Sequence, residues 1–84
     1  MATAGYIAAL EHDPYWQATA EDKNGDHIAI MRGHPGGQFE KDYYLYGGDA
    51  YEASMPHSLN GVKGLFASGD LKLLKGSIPD AENQ

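Results

Sequence analysis

Metal binding and general base catalysis both depend first on histidine, and this 84-residue chain has four. They are His12, His27, His34 and His57. No two of them have the His-x-x-x-His spacing that places two imidazoles on one face of a helix. Aspartate neighbours His12 and His27, but adjacent residues of an extended chain point to opposite faces. We therefore predict no metal, no cofactor and no enzymatic activity. A small metal-dependent or catalytic domain that uses His34 or His57 is the third alternative.

Tyrosine and acidic side chains are concentrated between Phe39 and Glu52, which holds five of the nine aromatic residues and four of the twelve carboxylates. A strand with alternating faces can bury only one of them, so we expect some of these tyrosines to stand in water beside carboxylates. Tyrosine supplies rigid contact area with a polar tip, which suits protein recognition. The segment therefore predicts an outward contact surface, here called the acidic tyrosine surface. Its positions are Asp42, Tyr44, Tyr46, Asp49, Tyr51 and Glu52, with Glu40, Asp22 and Asp26 as further contact positions.

The negative charge of the chain is confined to its first two thirds. The formal net charge is −6: residues 1–56 carry nine acidic and three basic side chains, and residues 57–84 carry three of each. A phosphate backbone attracts the opposite sign, so we predict no direct nucleic-acid binding and a partner protein with a basic surface. The absence of cysteine excludes thiolate chemistry and suits a cytoplasmic location. No apolar run is long enough to span a membrane, and we expect no membrane partner.

The clearest structural pattern is a β-hairpin over residues 15–32 with Asn24-Gly25 at its tip. A three-residue loop that ends at Gly25 pairs Ala20 with Ile28 and buries one apolar face. That face consists of Trp16, Ala18, Ala20, Ile28 and Ile30. The alternative, a two-residue loop, divides these apolar residues differently between the faces. Because a slip of one residue moves a whole strand to its other face, burial decides, and we predict a type I turn with Gly25 in a left-handed bulge position.

Shorter elements complete the sheet. Residues 6–11 fit a strand or a helix, and we favour a strand because an isolated hairpin is only marginally stable. Further strands are predicted near residues 42–46 and over residues 71–75. Ser58 is predicted to cap a helix over about residues 58–68, whose apolar stripe faces the sheet.

The chain is therefore expected to form a single small α+β domain over residues 1–76. The expected architecture is an antiparallel sheet of four to five strands with one main helix packed on a face. Residues 77–84 are expected to be a flexible C-terminal tail.

These features favour a non-enzymatic binding protein that occupies a basic surface of a partner, with carboxylates imitating the phosphates of a nucleic acid. Electrostatic steering would speed the encounter, and tyrosines would supply the desolvated centre of the contact. In size, acidity and lack of cysteine the chain is similar to small phage-encoded inhibitors, including anti-CRISPR proteins. This likeness of composition implies an inhibitor whose partner is a nucleic-acid-binding complex. The alternative is a homo-oligomeric structural or accessory subunit that pairs through its tyrosine-rich strand, so a monomer or a homodimer is expected.

Overall fold

Residues 4–79, the part of the chain that the computed structural model describes, form one antiparallel sheet with a helix on each face. The elements are, in chain order, α1 (Ala4–Glu11), β1 (Trp16–Asp22), β2 (His27–Arg32), β3 (Tyr43–Tyr46), α2 (Leu59–Ala67) and β4 (Leu71–Gly76). The strands lie in the order β3-β2-β1-β4, and the sheet is open. The predicted α+β fold with a small antiparallel sheet is thus confirmed. Within residues 4–79 no helix has the length and apolar character needed to cross a membrane.

The hairpin of β1 and β2 has the predicted three-residue loop. The carbonyl of Asp22 accepts a hydrogen bond from the N–H of Gly25 at 3.0 Å, and the N–H of Asp22 donates to Asp26 at 2.9 Å. Gly25 has a φ of 84°, which is the left-handed conformation of a bulge residue. Ala20 pairs with Ile28, so the predicted register is confirmed.

The prediction placed Trp16 on the wrong face of β1. The register shifts between Trp16 and Ala18, and Trp16 pairs with Met31. This bulge at Gln17 adds one residue to β1 and turns Trp16 to the opposite face of the sheet. There it packs beside Ala29 and Met31, so it is not part of the apolar face expected from the sequence.

Residues 6–11 belong to helix α1, so the prediction of a strand there was wrong. Its segment contains three alanines, the residue with the highest helix propensity, and Ile7 and Leu10 are spaced to share one helical face. Ile7 is only 2% exposed and packs against Ala29 and Met31. The hairpin obtains its partner strands from β3 and β4 instead, so the sheet needs no strand from this segment.

Helix α2 covers the other face of the sheet, over the main core. Ser58 caps it as predicted, because its Oγ accepts a hydrogen bond from the N–H of Gly61 at 3.0 Å. Gly69 follows the helix with a φ of 86°. The buried residues of the main core are Ala18, Ala20, Ile28, Ile30, Tyr43, Leu45, Val62, Leu71 and Ile78.

Ile78 extends the packed structure beyond the predicted boundary at residue 76. It is fully buried in the main core. The carbonyl of Ser77 accepts a hydrogen bond from the Gln17 side chain at 2.6 Å, which ties this segment to the bulge in β1. Residues 80–84, the rest of the predicted tail, lie outside the described residues.

Candidate functional site

Strand β3 divides its four residues between the two faces of the sheet. Tyr43 and Leu45 belong to the main core, with exposures of 9% and 0%. Tyr44 and Tyr46 point to the α1 face, where they are half-buried beside Met31. Strand alternation therefore leaves part of both rings in water, as expected of two members of the acidic tyrosine surface.

A groove of about 270 Å³ lies against these two tyrosines, and it is called the tyrosine groove below. Its walls are mainly apolar and aromatic, with a few polar groups among them, which is the usual composition of a binding site. The lining includes Leu10, Tyr15, Met31, Tyr44 and Tyr46, with Asp13, Arg32, His34 and Ser54 as its polar members.

Two contacts hold the polar end of the tyrosine groove in place. Arg32 donates a hydrogen bond from Nη2 to the carbonyl of Pro14 at 2.9 Å. The rings of Tyr15 and His34 meet edge to face, with centroids 4.5 Å apart and an interplanar angle of 60°. Side chains that are already held in place lose less entropy when a partner binds, so this end of the groove is suited to recognition.

Tyr15 and Arg32 were not among the residues predicted for a site, and His34 was considered only for metal binding or catalysis. They lie together because β1 begins where β2 ends in the hairpin, and the N–H of Arg32 donates to the carbonyl of Tyr15 at 2.8 Å. The hairpin register was therefore the signal that could have found them. It places the residues on either side of the two strand ends next to one another.

Two predicted acidic positions, Glu40 and Asp42, lie beside the tyrosine groove. They line a second pocket of about 210 Å³ that shares Tyr15 and Arg32 with the groove. Glu40 is exposed, and its Oε1 accepts a hydrogen bond from the N–H of Gly36 at 3.1 Å. Glu40 and Asp42 are thus connected to the tyrosine groove through Tyr15 and Arg32, and Lys41 lines the same second pocket.

Tyr51 lies on the other face of the sheet from Tyr44 and Tyr46. It packs, half-buried, against the main core, and its ring centroid is 6.3 Å from that of His57. Burial and the nearby carboxylates of Asp70 and Asp22 raise the pKa of its phenol. Asp49 and Glu52 flank it in the chain and are exposed. The acidic tyrosine surface is therefore divided between the two faces and does not form one continuous patch.

Asp22 is buried, although the sequence placed it on the contact surface. It is 8% exposed, and its Oδ1 accepts hydrogen bonds from the N–H groups of Asn24 and Asp26, both at 2.9 Å. These bonds form an Asx turn that fixes the tip of the hairpin. Asp26 is half-buried at the end of the same turn.

The histidines considered for metal binding or catalysis lie in different surroundings. Within residues 4–79 no group of three or more His, Asp and Glu side chains is arranged to hold a metal ion. His34 packs against Tyr15, whereas His57 pairs through its backbone with Tyr43 in two hydrogen bonds of 2.8 Å. The Nε2 atom of His57 is buried and has no hydrogen-bond partner among the described residues.

Comparison of the chain with known protein families, with curated proteins and with solved structures found no match.

Proposed function

We propose that the protein is a non-enzymatic binding protein that occupies a basic surface of a partner protein, with its tyrosine groove at the centre of the contact. The observation that carries this proposal is the pair Tyr44 and Tyr46, half-buried on an edge strand. The carboxylates of Glu40 and Asp42 lie in the adjoining pocket, which shares Tyr15 and Arg32 with the groove. Amphipathic aromatic side chains in a concave setting provide most of the binding energy in many interfaces. Neighbouring carboxylates would select a cationic partner and reject an anionic one.

The charge distribution supports the same proposal. Of the nine acidic residues in the first two thirds of the chain, all within the described part, only Asp22 is buried. The other eight contribute negative potential that reaches solvent and can steer a basic partner to the surface. A partner that normally binds a nucleic acid presents such a basic surface, and carboxylates can take the place of phosphates on it.

The test is a binding assay against basic nucleic-acid-handling proteins, repeated over a series of salt concentrations. Tyr44→Ala should weaken binding by about tenfold or more, as is typical for an aromatic residue at the centre of an interface. Glu40→Gln should lower the association rate and reduce its dependence on salt. Glu21→Gln is the matched control, since it removes the same charge from β1, away from the groove. Binding that does not depend on salt, or that is mapped to residues 57–84, would contradict the proposal.

The second candidate is a homo-oligomeric structural or accessory subunit, which an open sheet favours because an exposed strand edge can pair with another copy. The two edges differ in how they are protected. On β3 both backbone groups of Tyr43 are already paired with His57, and on β4 Lys72 and Lys75 supply the charges that discourage edge pairing. Sedimentation at micromolar concentration separates the candidates. A monomer is expected, and a stable dimer would favour the second reading.

A further inference from the structure

Helix α1 is held on the sheet by few buried side chains. Of residues 5–11, whose side chains the structure describes, only Ile7 is buried, and Leu10 and Glu11 are half-buried. The helix has eight residues, fewer than the about 12–15 that an isolated helix needs to persist in water. It is therefore helical only while it is docked. Its contacts with Ala29 and Met31 are separate from the main core on the other face of the sheet.

A polar contact, called the α1 latch here, fastens the end of the docked helix. Glu11 is the last residue of α1, where a carboxylate meets the negative end of the helix dipole. The helix alone therefore disfavours this side chain, and the sheet supplies the compensation. The Thr19 hydroxyl donates to Oε2 of Glu11 at 2.6 Å, and Nζ of Lys75 lies 3.2 Å from Oε1. The indole N–H of Trp16 donates to Oγ1 of Thr19, which leaves the hydroxyl proton for Glu11. The latch joins α1, β1 and β4, so it exists only while α1 lies on the sheet.

The same end of α1 forms one wall of the tyrosine groove. Leu10 precedes Glu11 in the helix, and Leu10, Asp13 and Tyr15 all line the groove. The N–H of Asp13 donates to the carbonyl of Leu10 at 3.0 Å, and the N–H of Tyr15 donates to Oδ1 of Asp13 at 2.8 Å. This hydrogen-bonded turn connects the helix to the groove, so the wall moves when α1 leaves the sheet.

We propose that α1 is a lid that opens while the main core stays folded, and that the α1 latch sets the fraction of molecules in which the tyrosine groove is complete. In the closed state, Leu10 and the turn after it form the groove wall. In the open state, Ile7 leaves Ala29 and Met31, and this wall is lost. A partner that contacts the wall binds the closed state and holds the lid shut. This inference rests on the proposed function, because it concerns the regulation of the same groove.

The test is hydrogen exchange of the backbone amides in the full chain, followed by nuclear magnetic resonance under conditions in which reclosing is faster than exchange. The amides of α1 should exchange through opening of the lid, and those of β1 and β2 through unfolding of the core. Low concentrations of urea should therefore speed exchange in β1 and β2 and leave α1 nearly unchanged, because opening the lid exposes little surface. An equal dependence on urea in both sets would overturn the proposal.

A substitution in the main core separates the two openings. Ile78→Ala removes a fully buried side chain on the face of the sheet opposite α1. It should speed exchange in β1 and β2 by more than about tenfold and leave the α1 amides as they are. Val62→Ala is a smaller change in the same core and serves if Ile78→Ala does not fold. Equal acceleration in α1 would show that α1 opens only when the core unfolds, and the proposal would be wrong.

Variants of the α1 latch should act on the lid itself. Glu11→Gln should speed exchange of the α1 amides by about tenfold, because the latch then lacks its charged acceptor, and Lys75→Gln should do so by a smaller factor. Glu52→Gln, at an exposed position after β3, and Lys72→Gln, in the same strand as Lys75, are the matched controls and should leave α1 unchanged. If the controls speed α1 as much as the latch variants do, the effect comes from net charge and the latch is not its cause.

The amides of Asp13 and Tyr15 report on the groove wall. They should follow the α1 amides in urea and in every variant. If they follow β1 and β2 instead, the wall stays in place when the lid opens, and the coupling to the groove is wrong. The two proposals fail separately. The exchange measurements need no partner, whereas the loss of partner binding in Tyr44→Ala tests the proposed function whether or not the lid opens.

Discussion

At the scale of single residues, Gly48 shows how closely the hairpin tip and the segment after β3 approach each other. Its φ is 66°, a conformation that residues with a side chain rarely adopt. A Cβ atom at this position would also lie 2.6 Å from Cδ1 of Ile28 in the main core. The close approach of Gly48 to Ile28 and Asp22 therefore depends on the absence of a methyl group at this position.

We expect Gly48→Ala to lower the free energy of unfolding by about 2–3 kcal/mol, because left-handed strain and overpacking act together. Denaturation in urea measures the change. Gly64→Ala is the matched control: Gly64 lies inside α2, where an added Cβ meets nothing within 4 Å. It should raise the free energy of unfolding by about 0.5–1 kcal/mol. Equal effects of the two substitutions would show that the close approach at Gly48 is not present in solution.

At the scale of elements, α1 is fastened to the sheet by a chain of polar contacts that starts inside β1. The indole N–H of Trp16 donates to Oγ1 of Thr19 at 3.0 Å, and the Thr19 hydroxyl donates to Oε2 of Glu11 at 2.6 Å. Nζ of Lys75 in β4 lies 3.2 Å from the other oxygen of Glu11. The hydrogen bond from Thr19 is the largest cause, and Lys75 a further one, of a Glu11 pKa below its ordinary value of 4.5.

A pKa that is lower in the folded state means that Glu11 stabilises the fold above pH 4.5 and loses this effect as the pH falls through the lowered value. We therefore expect Glu11→Gln to lower the free energy of unfolding at pH 7, and the difference from the unchanged chain to shrink as the pH falls below 4.5. Urea denaturation at a series of pH values measures this. Lys75→Gln should have a smaller effect at pH 7, because it leaves the Thr19 bond intact. A difference that stays constant or grows on acidification would contradict the assignment.

Local rules predicted the elements that local contacts determine. The hairpin turn and the cap of α2 depend on residues within four positions of each other, so Gly25 and Ser58 could be read from the sequence. The bulge at Gln17 could not, because its side chain bonds to Ser77, 60 positions away. Residues 6–11 fit the pattern of a strand or a helix, and the helix buries Ile7 against Ala29 and Met31, a contact between residues that are distant in the chain.

In the candidate site, too, the features that local contacts determine could be predicted, and those that depend on distant residues could not. The half-exposure of Tyr44 and Tyr46 follows from strand alternation, which the sequence shows directly. The separation of Tyr51 from them depends on which face the chain crosses after β3, and no pattern in residues 47–52 encodes that. The burial of Asp22 likewise results from the approach of Gly48, which is distant in the chain.

At the scale of the whole molecule, the packed structure includes residues that follow the last strand. We expect Ile78→Ala to lower the free energy of unfolding by about 2–4 kcal/mol, as for a fully buried aliphatic side chain. Leu74→Ala is the control, since Leu74 is 43% exposed in β4 and should change stability by less than about 0.5–1 kcal/mol. Thermal or urea unfolding distinguishes the two. A small effect of Ile78→Ala would show that the domain ends where the sequence predicts.

The strand order β3-β2-β1-β4 has a consequence for how the chain reaches this structure. Strand β1 lies inside the sheet, but one of its neighbours, β4, is the last of the four strands within residues 4–79 to be synthesised. Until residues 71–76 leave the ribosome, β1 has an unpaired edge and the α2 face has no Leu71 to pack against. The pairing of β1 on both edges and the closing of the main core by Leu71 therefore wait until β4 is free to dock.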